Sequence, residues 1–401
     1  MKRSRTEVNP RRASRLRLLF EHPLSTYYLL MGSTLLLLII GLVMVMSASS
    51  IESYRVFGSP YTLAQRQGMF AVLGVIAMFL AARTSPQFWR GVVWPVVGVA
   101  FLLLVLVLVI GVEVGGQRNW IELYGPFRLQ PSEIAKLALV LFGADLLARR
   151  AGSARTWQQW LLPLLPIAGA MVILVLLEGD FGNALLLGAI CLGMLYAAGA
   201  PLRYFPALIA ATAMGVWALT LAAPYRMARI TAWLDPAADR LGFGWQVTQG
   251  QYALGTGGLF GVGLGASREK WGSLPEAHTD FIFPVIGEEL GLIGTLAVLV
   301  VVGALAFAIF RLAAKSQDPF VRLLAAGVGS WVVVQAVVNI GASLGLLPIT
   351  GLPLPLVSYG GSSLVPTLLA VGMLMGCARH EPDARTALRR RQAAVASARL
   401  S

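Results

Sequence analysis

Charge is what this chain has least of. Only 13% of its 401 residues are charged, while 57% are hydrophobic. That is about half the charged share of an ordinary soluble domain, and it excludes a soluble enzyme, a disordered chain and a collagen-like chain. Cysteine is also scarce. Cys191 and Cys377 both sit inside apolar runs, so neither a disulfide framework nor a zinc-thiolate cluster is indicated. The three histidines, His22, His278 and His380, form no Ser–His–Asp order, and no P-loop occurs. Strand-like alternation is missing as well. The apolar runs are long and continuous, which disfavours a β-barrel. What remains is an all-α integral membrane protein.

Acidic residues are few: 19 against 32 basic ones, for a net charge of +13. In a soluble protein that balance would suggest nucleic acid. Here the excess collects at the ends, so no nucleic-acid partner is expected. Lys2, Arg3, Arg5, Arg11, Arg12, Arg15 and Arg17 precede the first apolar run, and Arg379, Arg385, Arg389, Arg390, Arg391 and Arg399 follow the last. Basic flanks mark the cytoplasmic side and favour anionic headgroups. The first apolar run is too long for a cleavable signal peptide and lacks a small-residue cleavage site.

Crossing ~30 Å of hydrocarbon takes about 20 helical residues. On that measure there are about ten candidate spans, near 26–48, 61–82, 92–112, 131–148, 160–177, 181–199, 204–222, 281–310, 323–347 and 363–377. An even count places both termini on one side. Arg83, Arg90, Arg149, Arg150, Arg155, Arg203, Arg311, Lys315 and Arg322 fall in the loops on that same side, so both ends are expected in the cytoplasm. The chain then divides into a basic tail (1–24), a membrane domain (25–378) and a second basic tail (379–401). A large extracytoplasmic loop (223–280) joins spans seven and eight. Its tryptophans, Trp233, Trp245 and Trp271, predict an ordered loop. No fixed-period repeat suggests a two-half transporter.

Five polar constellations gather toward the outer ends of the spans. Arg118 precedes Pro131-Ser132-Glu133-Ile134-Ala135-Lys136, where Glu133 and Lys136 share a helix face. They form a structural ion pair, or Lys136 offers a cation to an anionic substrate. Glu178-Gly179-Asp180 predicts a polar turn in which Asp180 caps the next helix. The glycine run 255–265 lacks the strand–turn–helix setting of a nucleotide fingerprint; it suits a close-packed loop, or one whose backbone approaches a substrate. Leu274 to Phe283 ends the long loop with Glu276, His278, Thr279 and Asp280. Asp280 caps the following helix, or serves as a partly desolvated general base. Glu288 and Glu289 follow in the same span, so at least one should face protein or a cavity. Finally, the stretch 347–363 carries prolines and glycines that forbid a continuous helix. Its Ser358, Tyr359 and Ser362 are candidate sugar ligands beside a shaped re-entrant turn.

At these motifs the chain resembles the SEDS family (shape, elongation, division and sporulation). Leu274 to Phe283 with Gly287 to Gly291, Pro348 to Ser363, Pro131 to Lys136 with Arg118, and Gln246 to Gly265 carry the resemblance, which spans nearly everything between the tails. It implies a ten-span peptidoglycan glycosyltransferase that polymerises lipid II at the outer face of the cytoplasmic membrane, inverting the anomeric carbon to a β-1,4 linkage. Glu276-Ala277-His278 and Ile286 to Glu289 look more like the division branch than the elongation branch, which implies action at the septum. By the same resemblance Asp280 is the essential aspartate, and Arg118 and Lys136 are the family's important basic residues; these two, with Lys270 or a divalent metal, are expected to offset diphosphate charge. A divalent cation such as Mg2+ is left open as a cofactor. Expected partners are a class B penicillin-binding protein, the septal transpeptidase, and divisome activator proteins. The alternatives are an elongation-type polymerase, a lipid II flippase and a scaffold without catalysis. Two departures stand out: Glu178-Gly179 where relatives often read Gln-Pro, and Pro284 where they often have alanine. Pro284 either kinks the span behind Asp280 or fits its first turn.

Overall fold

The computed structural model describes residues 22–123, 125, 127–150, 156–221, 224–236 and 242–387. Most of both basic tails (1–21 and 388–401), together with Arg155, Asp239 and Arg240, lies outside the described residues.

Apolar runs become helices because a backbone in hydrocarbon must satisfy its own hydrogen bonds. Six helices are long and apolar enough to cross a membrane: α1 (Ser25–Phe57), α2 (Thr62–Ala81), α4 (Val93–Ile110), α12 (Ile282–Lys315), α13 (Pro319–Ser343) and α14 (Gly361–His380). Between α2 and α4 lies the short α3 (Pro86–Gly91), capped by the Ser85 side chain. Four further helices occupy the remaining candidate spans: α5 (Pro131–Arg149), α7 (Leu165–Leu177), α8 (Phe181–Ala197) and α9 (Phe205–Leu221). The short α6 (Trp157–Leu161) precedes α7. The protein is thus an all-α integral membrane protein. Large apolar side chains stand exposed on its outer helices, among them Leu102, Val109 and Val300. Lipid tails accept such surface where water would not.

The interior is built on α13, which packs against α5, α8 and α12. Phe320, Trp331, Leu139 and Leu141 are fully buried there. Helix α14 packs along α2, and α12 along α1.

The long loop between α9 and α12 is ordered where it is described. It holds α10 (Pro224–Leu234) and α11 (Phe243–Gly257), and α11 lies against α12. One feature departs from all-α expectation. Strands β1 (Val112–Val114), β2 (Gln117–Glu122) and β3 (Arg128–Leu129) form a small antiparallel sheet in the order β1-β2-β3. Segments this short carry too few residues for alternation to show in the sequence.

Part of the glycine run packs its backbone against α12. Helix α12 is interrupted at Gly291, whose φ is 67°. The broken turn leaves backbone groups that the run satisfies: Val262 N–H donates to Glu288 O at 2.9 Å, and Leu292 N–H donates to Gly258 O at 2.9 Å. A Cβ on Gly261 would lie 2.2 Å from the Glu289 carbonyl oxygen, so only glycine admits this approach. Of the two expectations, close packing is met where Gly257 and Gly261 lie against α12. Pro284 falls in the first turn of α12 and does not kink it. A first-turn proline loses no intrahelical bond.

Candidate active site

Asp280 ends the outer loop two residues before α12 begins. Its side chain is half-buried, and no hydrogen bond or ion pair reaches its carboxylate among the described residues. Burial, with Glu276 and Asp180 adding repulsion and Arg229 opposing them, pushes its pKa up to about 7. Desolvation of a carboxylate that lacks donors is the dominant cause. The remaining walls come from distant segments. A Cβ on Gly351 would stand 3.7 Å from Asp280 Oδ2. Two residues earlier, the Ile349 carbonyl accepts from Arg229 Nη1 at 3.4 Å. Arg229 also lies over the Phe243 ring, 5.0 Å from its centroid.

Next to Asp280, the loop is stiffened from within. Thr279 Oγ1 donates to Glu276 Oε2 at 2.5 Å, and Glu276 itself has a positive φ of 54°. His278 is buried, with Nδ1 3.3 Å from Glu52 Oε2 and its ring against Tyr359. Burial holds its imidazole pKa below the ordinary value, against the pull of Glu52 and Glu276. The His278 carbonyl accepts from Tyr359 N–H at 2.9 Å, which ties this loop to the 344–360 segment. The Tyr359 hydroxyl is held by Arg66, and burial raises its pKa.

The other nominated hydroxyls serve the re-entrant segment itself. Ser358 Oγ accepts from Leu354 N–H at 2.8 Å, and Ser362 Oγ accepts from Gln130 N–H at 2.7 Å. Gln67 on α2 adds a double clamp, donating to Ser358 O and accepting from Gly360 N–H, each at 3.2 Å.

The nominated cations lie in three separate places. Lys136 is 0% exposed. Its ammonium donates to Glu133 Oε1 at 2.8 Å and to Gln335 Oε1 at 3.3 Å, and it sits 4.9 Å from the Trp331 ring centroid. Lys270 donates to Gly265 O at 2.6 Å, Glu289 Oε1 at 3.2 Å and Ser47 Oγ at 3.3 Å. It fastens the outer loop to α12 and α1. Glu288 is equally occupied, accepting from Ser267 Oγ and from Arg268 N–H. Arg118 is exposed, and its guanidinium donates to Leu108 O and Gly111 O. There it caps the negative end of α4. The cation whose field reaches Asp280 is instead Arg229. Sequence reasoning placed Arg229 in the long loop without singling it out.

A second carboxylate, Asp180, lies on the same side. It caps α8 by accepting Asn183 N–H at 3.0 Å. Side chains of Asn119, Gln130, Ser132 and Asn183 also donate to it, at 2.8–3.3 Å. So well-donated an acid anchors the segments around it.

Its neighbour Glu178 is the opposite. Glu178 is 1% exposed, and neither carboxyl oxygen has a hydrogen-bond partner. Burial, with repulsion from Asp180, raises its pKa from 4.5 to about 9. Between those values the folded protein keeps a proton that the unfolded chain has lost. Stability therefore falls as pH rises through that window. Glu178→Gln, a neutral isostere, should melt above wild type at pH 8, with the gap closing toward pH 5. Thermal unfolding in detergent at the two pH values checks this, and a gap independent of pH would contradict it.

Among the described residues no group of three or more His, Cys, Asp or Glu side chains is placed to hold a metal ion.

The family profile of FtsW, RodA and SpoVE cell cycle proteins matches residues 27–383. A probable peptidoglycan glycosyltransferase FtsW of Thioalkalivibrio sulfidiphilus is 46% identical, over 86% of this chain and 87% of that protein. One of the same description from Mycobacterium tuberculosis is 42% identical, over 92% of this chain and 70% of that protein. Stage V sporulation protein E of Bacillus subtilis is 41% identical, over 88% and 96%. Among solved structures, a chain of a peptidoglycan synthase complex that coordinates polymerization and crosslinking is similar at TM-score 0.71 and 32% identity, covering 87% of this chain and 96% of that one. The rod shape determining protein RodA of Thermus thermophilus is similar at TM-score 0.66 and 30% identity, covering 88% and 97%.

Proposed function

Since the chain belongs to the FtsW, RodA and SpoVE family of cell cycle proteins, we propose that Asp280 is the general base of its chemistry. The protein is a multi-pass membrane peptidoglycan glycosyltransferase, and relatives of the FtsW type support a role in division. Its proposed substrate is lipid II. The proposed setting is the outer face of the cytoplasmic membrane at the septum, with both tails cytoplasmic. A class B penicillin-binding protein is the proposed partner, in keeping with a structural relative that is part of a synthase complex; divisome activators belong to the same proposal.

The chemistry follows from Asp280's surroundings. In its ionised form it takes the proton from the 4-hydroxyl of the acceptor N-acetylglucosamine. The oxygen forms a bond to the anomeric carbon of the lipid-linked strand, from the face opposite the leaving group. The bond from that carbon to the diphosphate oxygen breaks, so configuration inverts and undecaprenyl diphosphate departs. The proton ends on Asp280. Arg229, whose field reaches Asp280, is the cation proposed to favour the departing diphosphate, and stabilising charge that develops in a transition state is often the largest catalytic term. Lys136 and Lys270 hold the walls of the site, since their ammoniums are taken by Glu133, Gln335 and Glu289. No step is routed through a metal.

The observation that carries this reading is the donor-free, half-buried Asp280 carboxylate with its pKa near 7. A base works only when ionised, and an acid of that pKa is about half ionised at neutral pH. The polymerisation rate from lipid II at low substrate should therefore rise with pH along a limb centred near 7. A limb centred near the ordinary aspartate value of 3.8 would contradict the reading.

A further inference from the structure

Helix α13 carries two amides through an otherwise apolar stretch, Gln335 and Asn339. Four residues apart, they share one face. They are 1% and 2% exposed. A buried amide is costly unless its hydrogens are used, and here three of the four donate to backbone carbonyls. Asn339 Nδ2 donates both hydrogens: to Asp280 O at 2.8 Å and to Leu352 O at 2.7 Å. Gln335 Nε2 donates to Pro353 O at 2.8 Å, while its Oε1 accepts from Trp331 Nε1 at 2.8 Å and from Lys136 Nζ.

The proline-rich segment 344–360 has no helix or strand to satisfy its carbonyls. Two consecutive ones, Leu352 and Pro353, are taken by amides one helical turn apart. The same segment brings Gly351 against the Asp280 carboxylate. Asn339 therefore holds both the backbone that carries Asp280 and the wall beside its carboxylate. Gln335 extends the hold to the Lys136–Glu133 pair on α5.

We propose that Asn339 is a positioning residue for Asp280, and that Gln335 joins it in holding segment 344–360 as the rigid wall of the site. Neither amide touches reacting atoms. They act by fixing where the base sits, and a displacement of about 1 Å can cost ~100-fold in rate. This inference rests on the reading of Asp280 as the base. It also assigns Lys136 a role exercised through Gln335 and the Pro353 carbonyl.

The test uses the full chain in detergent with its transpeptidase partner and lipid II. Asn339→Ala should lower kcat by about 10–100-fold while KM for lipid II moves less than about threefold, a split that marks lost transition-state positioning rather than lost binding. The acid limb of the pH profile should shift from its wild-type midpoint, because the surroundings of Asp280 change. Asn339→Ser, which keeps one donor, should fall between Asn339→Ala and wild type, and it covers the case in which the alanine variant fails to fold. Gln335→Ala should show the same split with a smaller shift of the limb. The proposal is overturned if the variants keep kcat within about twofold of wild type. It is equally overturned if kcat falls only in step with the folded fraction while the limb stays in place. Failure of the base reading is seen separately, in wild type alone, as a profile without a limb near 7.

Discussion

Lys136→Met is expected to destabilise the protein by about 3–5 kcal/mol, the cost of leaving one member of a buried ion pair without the other. Lys136 and Glu133 are both essentially inaccessible, at 0% and 1% side-chain exposure. One Glu133 oxygen already lacks a partner. Removing the ammonium strips the other of its 2.8 Å bond and Gln335 of a donor. A folded yield near wild type would contradict the arrangement. The double substitution Glu133→Gln with Lys136→Met removes both charges and should recover most of the lost stability, because a buried neutral amide costs far less to desolvate than a lone buried carboxylate. It also separates two roles for Lys136. If the lysine acts only by neutralising the buried Glu133 carboxylate, the stable double variant should recover polymerisation as well. If it contacts the diphosphate, the double variant should fold and stay inactive. Thermal melting and lipid II polymerisation on the same preparations read both outcomes.

The fold was legible wherever one local signal sufficed. Unbroken apolar runs announced the helices: each candidate span overlaps one, and six of these helices are long and apolar enough to cross a membrane. Asp180 as a cap was readable from its position before an apolar run. Asp280 stood out as an acid at the edge of a span, and the family motif around it raised its weight. What stayed hidden depends on contacts between distant segments. Arg229 meets the site through a carbonyl 120 residues away, and its own sequence offers only one more arginine in a loop of mixed charge. Gln335 and Asn339 did carry a signal, two amides at i,i+4 in a span, which in a membrane invites the question of what satisfies them. The answer, carbonyls of a segment without secondary structure, is a tertiary fact. The glycine run was visible, but its partner was not, because the break at Gly291 cannot be seen without φ. The three short strands left no periodicity to read.

The charges scarce in the sequence turn out to be divided between holding and reacting. Glu133, Asp180, Glu288 and Glu289 each accept hydrogen bonds from named donors. Asp280 alone among the acids proposed for the site faces it without one. That contrast is the core of the account, and Asp280→Asn tests it most directly. The substitution preserves shape and removes a half-desolvated charge that no donor stabilises, so the variant should melt at or above the wild-type temperature. Its amide cannot take the acceptor's proton. General-base catalysis contributes about 100- to 10,000-fold, so the rate should fall by that factor while lipid II still binds. The decisive measurement is the length and amount of glycan made from lipid II by purified wild-type and Asp280→Asn protein with the partner present. The account predicts polymer from wild type and a loss of at least ~100-fold from the folded variant. Polymer formed by Asp280→Asn at a rate near wild type would contradict it.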